Sequence, residues 1–204
     1  MPSSPSTYQK LFVRAFDAKS LADKVQNKLA LQRELGWPAE PKAPMLCLPE
    51  GMTDELGGAL LKGVLPGLVT QNVQLLIRGK GGAAYATIFS ELQTRYPHRI
   101  AILPNTDEGM AKMLSAADMA LFLAPAGKDD ATLKACMACG VLPVGQAGSP
   151  LLENYDPVQE SGTAFTYEDA NPWHVFAAIV RALETFKLPY DWRTIQRHGM
   201  EMAD

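Results

Sequence analysis

The chain has 204 residues, 47% of them hydrophobic and 20% charged, with a net charge of -3. That length suits one domain with a full core. The acidic balance argues against a nucleic-acid partner, because binding a phosphate backbone needs a basic field. No run of about 18 apolar residues occurs, so no membrane span is expected. The polar start MPSSPST has no apolar signal core behind it. Three cysteines do not make a disulfide framework, and together these features point to a reducing cytoplasm.

Residues 1–7 are rich in Pro and Ser and are expected to be disordered, within a flexible N-terminal segment over 1–16. From 17 to 35, Leu21, Val25, Leu29, Leu31 and Leu35 recur near helical spacing. Asp17 or Ser20 is placed to cap this helix, and Gly36 with Pro38 ends it. Short apolar runs at 45–48, 73–77, 99–103, 119–123 and 141–144 then alternate with helix-length segments at 55–69, 82–96, 107–116 and 129–139. The alternation predicts βαβ units, and strands apolar on both sides belong in a parallel sheet covered on both faces. Near the C-terminus Asn171 caps a helix with Pro172 in its first turn and Phe176, Ile179, Val180, Leu183 and Phe186 on one face. Pro189 breaks the chain, and a last helix is expected over 192–202. The fold expected is a single α/β domain over 17–204, a doubly wound, mostly parallel, Rossmann-like sheet.

Two loops carry candidate chemistry. IRGKGGA at 77–83 follows a predicted strand and opens a predicted helix. Gly79 and Gly81 would let a phosphate approach the backbone, Lys80 would add charge, and the helix start offers free amides. The plainer reading is a tight strand-to-helix turn. APAGKDDATLK at 124–134 joins another strand to its helix, at the strand end where parallel sheets bind ligands. The amides of Ala131 and Thr132 would attract a phosphate there. Asp129 reads as a helix cap, and the Asp129–Asp130 pair as acids of a first turn rather than acid–base or metal groups. Cys136 and Cys139 form a CxxC inside a helix without a second ligand pair, which reads as packing. His98, His174 and His198 stand in no nucleophile motif. No metal site, cofactor or catalytic residue is expected.

Several segments together resemble the C-terminal lobe of bacterial glycogen synthases and plant starch synthases, retaining glycosyltransferases of the two-lobed GT-B fold. They are KVQNKLALQRELG at 24–36, ELQTRYPHRI at 91–100, MLSAADMALFLAP at 113–125 and ACGVLPVG at 138–145, with ESGTAFTYEDANPWHVFAAIVRALETF at 160–186 and RTIQRHGM at 193–200. The resemblance runs from about residue 20 to 200. It implies a sugar-nucleotide donor such as ADP-glucose or UDP-glucose and an α-glucan acceptor.

The functional loops depart from that family. Its first loop reads Arg-Leu-x-x-Gln-Lys-Gly-x-Asp, and the Arg and Lys hold the donor diphosphate. In PMLCLPEGMTDELGGALLKGVLP at 44–66, Gly51 stands for the Arg, Leu56 for the Lys and Ala59 for the Asp; Gly57 is kept. The family's Glu-Pro-x-Gly-Leu loop falls on 127–131, with Gly127 at the Glu, while Thr132 persists. Its Thr-Gly-Gly-Leu turn becomes Gly148-Ser149-Pro150-Leu151, and Pro150 removes an amide. Fixed cations stabilise a departing diphosphate, and losing one such donor costs about 100- to 1,000-fold.

Three functions follow as expectations. The first is a non-catalytic binding module related to glucan metabolism, meeting a protein partner, an α-glucan or, weakly, ADP or ADP-glucose. The second is the nucleotide-sugar half of an active glucan synthase that needs a separate N-terminal lobe. The third is an unrelated Rossmann-like nucleotide-binding module.

Overall fold

The structure, a computed structural model, describes residues 5–203. Its six strands are β1 (Met45–Leu48), β2 (Gln74–Arg78), β3 (Ile100–Leu103), β4 (Met119–Leu121), β5 (Leu142–Gln146) and β6 (Phe165–Tyr167). They form one sheet in the order β3-β2-β1-β4-β5-β6, and every neighbouring pair is parallel. The chain winds outward one way through β1, β2 and β3 and the other way through β4, β5 and β6. The order therefore reverses between β1 and β4, the topological switch point of such sheets.

Among the described residues eight α-helices surround the sheet: α1 (Pro5–Gln9), α2 (Lys24–Glu34), α3 (Gly58–Leu68), α4 (Ala83–Arg95), α5 (Asp107–Ala116), α6 (Ala131–Ala138), α7 (Pro172–Phe186) and α8 (Pro189–Ala203). Strand side chains alternate between two cores. Leu46, Leu48, Leu75, Ile77, Met119 and Leu121 enter the core that also holds residues of α3, α4, α7 and α8. Met45, Cys47, Leu76 and Ala120 enter the opposite core, which holds residues of α1, α2, α5 and α6. Both faces are covered, which is why the strands read as continuous apolar runs. Cys47, Cys136 and Cys139 lie in this second core as free thiols. Burial pushes their pKa values up, to about 11 for Cys139, so they pack as small apolar residues.

Several elements differ from the sequence reading. β6 was not anticipated: it is three residues long, with Thr166 between Phe165 and Tyr167. Pro189 ends one helix and also opens the next, as a first-turn proline can, since its missing amide has no partner to lose. Asp130 rather than Asp129 caps α6, accepting from the Leu133 amide at 2.8 Å. Of the segment expected to be flexible over 1–16, residues 1–4 lie outside the described residues. In the remainder, α1 forms, and Tyr8 and Phe16 are buried.

The largest difference is in α2. The leucine pattern predicts an apolar buried face, but Val25, Leu29 and Leu35 are only half-buried. The buried stripe is Lys24, Asn27, Lys28, Leu31 and Gln32. These polar groups close the N-terminal edge of the sheet. The Lys24 ammonium donates to the carbonyls of Leu114 (2.7 Å) and Cys139 (2.9 Å), so one cation caps the C-terminal ends of α5 and α6. Lys28 donates to Asp118 Oδ2 at 2.5 Å and to the Ala43 carbonyl at 3.1 Å. Asp118 also accepts from the Met45 amide that opens β1. Gln32 bonds Gln74, the first residue of β2, and both amide and carbonyl of Glu40. Each buried polar group meets a backbone or charged partner that would otherwise be orphaned at the sheet margin.

Candidate functional site

The predicted site residues lie at the C-terminal edge on two segments, Gly79, Lys80 and Gly81 after β2 and Ala131 and Thr132 at the start of α6. The first loop of that edge runs from Pro49 to Gly57 and contains three carboxylates and no Lys or Arg. Its path is set by glycine. Gly51 (φ 72°) and Gly81 (φ 132°) both adopt conformations that side chains disfavour. Between them Met52 forms a single parallel bridge to Gly81. The Met52 amide donates to the Lys80 carbonyl (3.1 Å), and the Gly82 amide donates to the Met52 carbonyl (3.0 Å).

This bridge changes the meaning of the glycine turn. The amide of Gly79 is already bonded to the Leu103 carbonyl at 2.7 Å, and that of Lys80 to the Arg78 carbonyl at 2.7 Å. Three of the four amides over 79–82 are thus committed inside the protein. The Lys80 side chain is exposed. A cleft of about 160 Å³ lies beside the turn, lined also by Arg78, Tyr85 and Phe89. Sites for drug-sized ligands run from about 300 to 1,000 Å³, so this cleft has room for part of a nucleotide.

The residues that the resemblance sets against the family's cations fill structural roles. Gly51 meets the Lys80 backbone so closely that an added Cβ would fall on the Lys80 carbonyl oxygen. Leu56 is half-buried and packs against the main core. Gly57 (φ 87°) starts α3, and a Cβ there would come 2.6 Å from that of Leu123. Gly57 therefore lets the loops after β1 and β4 approach closely at the switch point. Ala59 is exposed on the first turn of α3. Beside it, the Tyr85 hydroxyl donates to Asp54 and its ring carries Lys62, whose ammonium is 4.9 Å from the ring centroid.

Sequence reasoning missed Glu50. It follows β1 by two residues and is half-buried. Burial, and then Asp130, push its carboxyl pKa up, against the pull of Lys80 and Arg78. Those four side chains thus share one electrostatic environment at the sheet edge. The Arg78 guanidinium donates to the Pro49 carbonyl at 3.3 Å, and its buried Nε has no acceptor among the described residues. The position of Glu50, just past an apolar strand, was the available signal.

The remaining candidates are less concentrated. Ala131 and Thr132 form the first turn of α6, exposed and half-buried respectively, on the helix end that Asp130 caps. Gly127 is exposed with open space around it. Pro150 is exposed in the turn after β5. His174 pairs with Asp169 at 3.4 Å on the surface, and His98 is an exposed loop residue. Among the described residues, no three His, Cys, Asp or Glu side chains converge as a metal site. No described helix is long and apolar enough to cross a membrane.

No protein-family model matches the chain. Its relatives are nonetheless consistent with one another. It is 33% identical over 191 residues to a glycogen synthase of Anaeromyxobacter dehalogenans, covering 91% of this chain and 39% of that protein. It is 31% identical over 196 residues to a glycogen synthase of Clostridium perfringens, covering 94% and 40%. Among solved structures, the catalytic domain of Arabidopsis thaliana starch synthase IV, bound to ADP and acarbose, superposes with a TM-score of 0.78 at 19% identity, over 97% of this chain and 42% of that one. A sucrose-phosphate synthase of Thermosynechococcus elongatus gives 0.60 at 21% identity, over 98% and 46%. The chain spans about 40% of the length of the glycogen synthases it matches. Sheet order, helix placement and these relatives agree: the chain matches the C-terminal lobe of the glycogen synthase and starch synthase family, with the Rossmann-like fold of GT-B glycosyltransferases.

Proposed function

We propose that this chain is a glucan-synthase-type lobe that does not transfer glucose by itself and serves as a binding module in cytoplasmic glucan metabolism. The observation that carries this reading is the Met52–Gly81 bridge. It occupies the turn that would meet the donor diphosphate, on a first loop that brings carboxylates instead of cations. A diphosphate leaving group there faces Glu50, Asp54 and Glu55, and uncompensated like charge raises the barrier that fixed donors lower. The loss lies in the backbone as well as the side chains. An arginine at position 51 would have to adopt φ 72° against the Lys80 carbonyl.

A second reading is the nucleotide-sugar half of an active synthase completed by a separate N-terminal lobe. It draws support from the exposed Lys80 and from the start of α4, whose Gly82 cap leaves that helix end without a capping side chain. Under this reading Gly79, Lys80, Gly81, Ala131 and Thr132 contact ADP or ADP-glucose. Several structural neighbours were solved with ADP, UDP or UDP-glucose.

One experiment separates the two. The chain, alone and mixed with a glucan-synthase N-terminal lobe, is assayed for glucose incorporation into glycogen from ADP-glucose and UDP-glucose. The first reading expects none in either case. Incorporation that disappears on Lys80→Ala or Thr132→Val overturns it. Melting temperature with ADP gives an independent readout, since a ligand of the native state stabilises it by mass action.

A further inference from the structure

A second, larger cleft lies at the opposite edge of the sheet from the glycine turn. It measures about 570 Å³ and opens between the start of α2 and the junction of α7 with α8. Its volume falls within the range of small-molecule sites, roughly 300 to 1,000 Å³. Phe186 and Trp192 form an apolar wall, packed edge to face with ring centroids 5.1 Å apart. Five of its lining side chains are cationic, and the one acid, Asp118, is already paired with Lys28.

The cations are of two kinds. Lys24 and Lys28 are more than nine-tenths buried. Each ammonium has three donors and spends two on the protein bonds described above, and each also faces a ring, Lys24 at 5.1 Å from the Phe16 centroid and Lys28 at 5.0 Å from that of Phe186. Burial pushes the Lys24 pKa down to about 8, which still leaves it charged at neutral pH. Lys42 and Arg193 are exposed on the rim and make no hydrogen bond or ion pair among the described residues. Lys187 is the fifth and is taken up by Glu184 at 2.6 Å. A site with a ring-lined wall, two buried ammoniums and two free rim cations has surplus positive charge in a chain whose net charge is negative.

We infer that this N-terminal-edge cleft binds a small organic anion, its phosphate or carboxylate groups meeting Lys42 and Arg193 in the field of the buried Lys24 and Lys28 charges, its body lying against Phe186 and Trp192. Arginine at the rim provides bidentate recognition of such groups. The inference is independent of the donor-edge reading, because the two sites share no residue.

The test is calorimetric titration of the full chain with inorganic pyrophosphate, AMP and citrate. The indole N–H resonances of isotope-labelled protein are followed in parallel, with Trp192 assigned through Trp192→Phe. At least one probe is expected to bind at a single site below about 1 mM and to move the Trp192 resonance. The double variant Lys42→Ala/Arg193→Ala, both positions exposed, should lose about tenfold or more, as charge-assisted contacts of this type carry. Pyrophosphate and AMP binding with citrate silent assigns the site to phosphate, and the converse assigns it to carboxylate. The inference is overturned if no probe binds by about 5 mM, or if the double variant binds as the parent does. It is equally overturned if Lys80→Ala weakens binding while the double variant does not, since the ligand would then sit at the donor edge.

Discussion

The two edges of the sheet are built in opposite ways. At the C-terminal edge, where parallel sheets conventionally hold their ligands, the loops bond to one another, the cation positions are apolar or glycine, and the cleft is small. At the N-terminal edge a polar stripe on α2 is fully engaged and frames the larger cleft. The polar network that holds the fold and the candidate site thus rest on separate residue sets. The α2 stripe holds strands and helix ends in place. The loops of the C-terminal edge lend Met52 and Leu123 to the main core, while Glu55, Lys80 and Gly127 on them are exposed and free to change.

The largest expected effect tests the N-terminal edge. Asp118→Ala leaves the Lys28 ammonium buried without its carboxylate and orphans the Met45 amide. Breaking a buried pair from one side costs about 3–5 kcal/mol, to be read as a lowered urea midpoint. The matching change at the other edge, Glu50→Gln, removes a charge that burial already disfavours. It should leave stability unchanged or slightly raised. If the two variants cost the same, the contrast between the edges fails.

Next in size is Gly51→Ala, which tests whether the Met52–Gly81 bridge is fixed by the backbone. A side chain at φ 72° against the Lys80 carbonyl forces the first loop off the glycine turn. A loss of about 1–3 kcal/mol is expected, the range for a strained non-glycine backbone. Hydrogen exchange at the Met52 and Gly82 amides should quicken with it. Unchanged exchange would mean that the bridge does not depend on the glycine.

The pH dependence of stability is smaller and has two opposing parts. Lys24 has a folded pKa of about 8, against 10.5 when free. Between those values the unfolded chain holds a proton that the folded chain has released, so stability rises with pH by at most about 1.4 kcal/mol per unit. The buried thiols act the other way. Their free pKa is 9.0 and burial raises it, to about 11 for Cys139. Above pH 9 the folded chain therefore keeps protons that the unfolded chain has lost, and stability falls. A shallow rise from about pH 8 to 9 followed by a steeper fall is expected in urea midpoints. Lys24→Met should abolish the rise and keep the fall.

The sequence made the sheet legible because both faces of each strand are covered, so strands such as Met45–Leu48 and Gln74–Arg78 stand out as short, largely apolar runs between helix-length segments. It did not reveal β6, where Thr166 interrupts a three-residue element held by pairing to β5. It also misjudged α2, because hydrophobic periodicity has no means of recognising a buried face made of Lys24, Asn27, Lys28 and Gln32. The glycine turn was visible as a candidate phosphate contact. Its engagement by Met52 was not, because that pairing joins residues far apart in sequence through two glycine conformations. The N-terminal-edge cleft was invisible for the same reason: residues from Leu21 to Gln196 converge to make it.

The smallest expected effect returns to the donor edge and asks how much of its loss a side chain can reverse. Leu56 is half-buried, on a loop whose backbone does not put it at positive φ, unlike Gly51. Leu56→Lys therefore restores one cation without the strain that Gly51→Arg would incur. The new ammonium enters an edge already carrying Glu50, Asp54 and Glu55, so much of its charge is answered within the protein. The gain in ADP affinity should be a few-fold, about 1 kcal/mol or less, as for a single partly exposed charge contact. Gly51→Arg should give no gain and a lower melting temperature. The reverse result, with Gly51→Arg binding ADP more tightly at unchanged stability, would mean that the first loop can leave the glycine turn at little cost. The donor edge would then be closed by its side chains alone, and its difference from the N-terminal edge would be one of composition rather than of backbone.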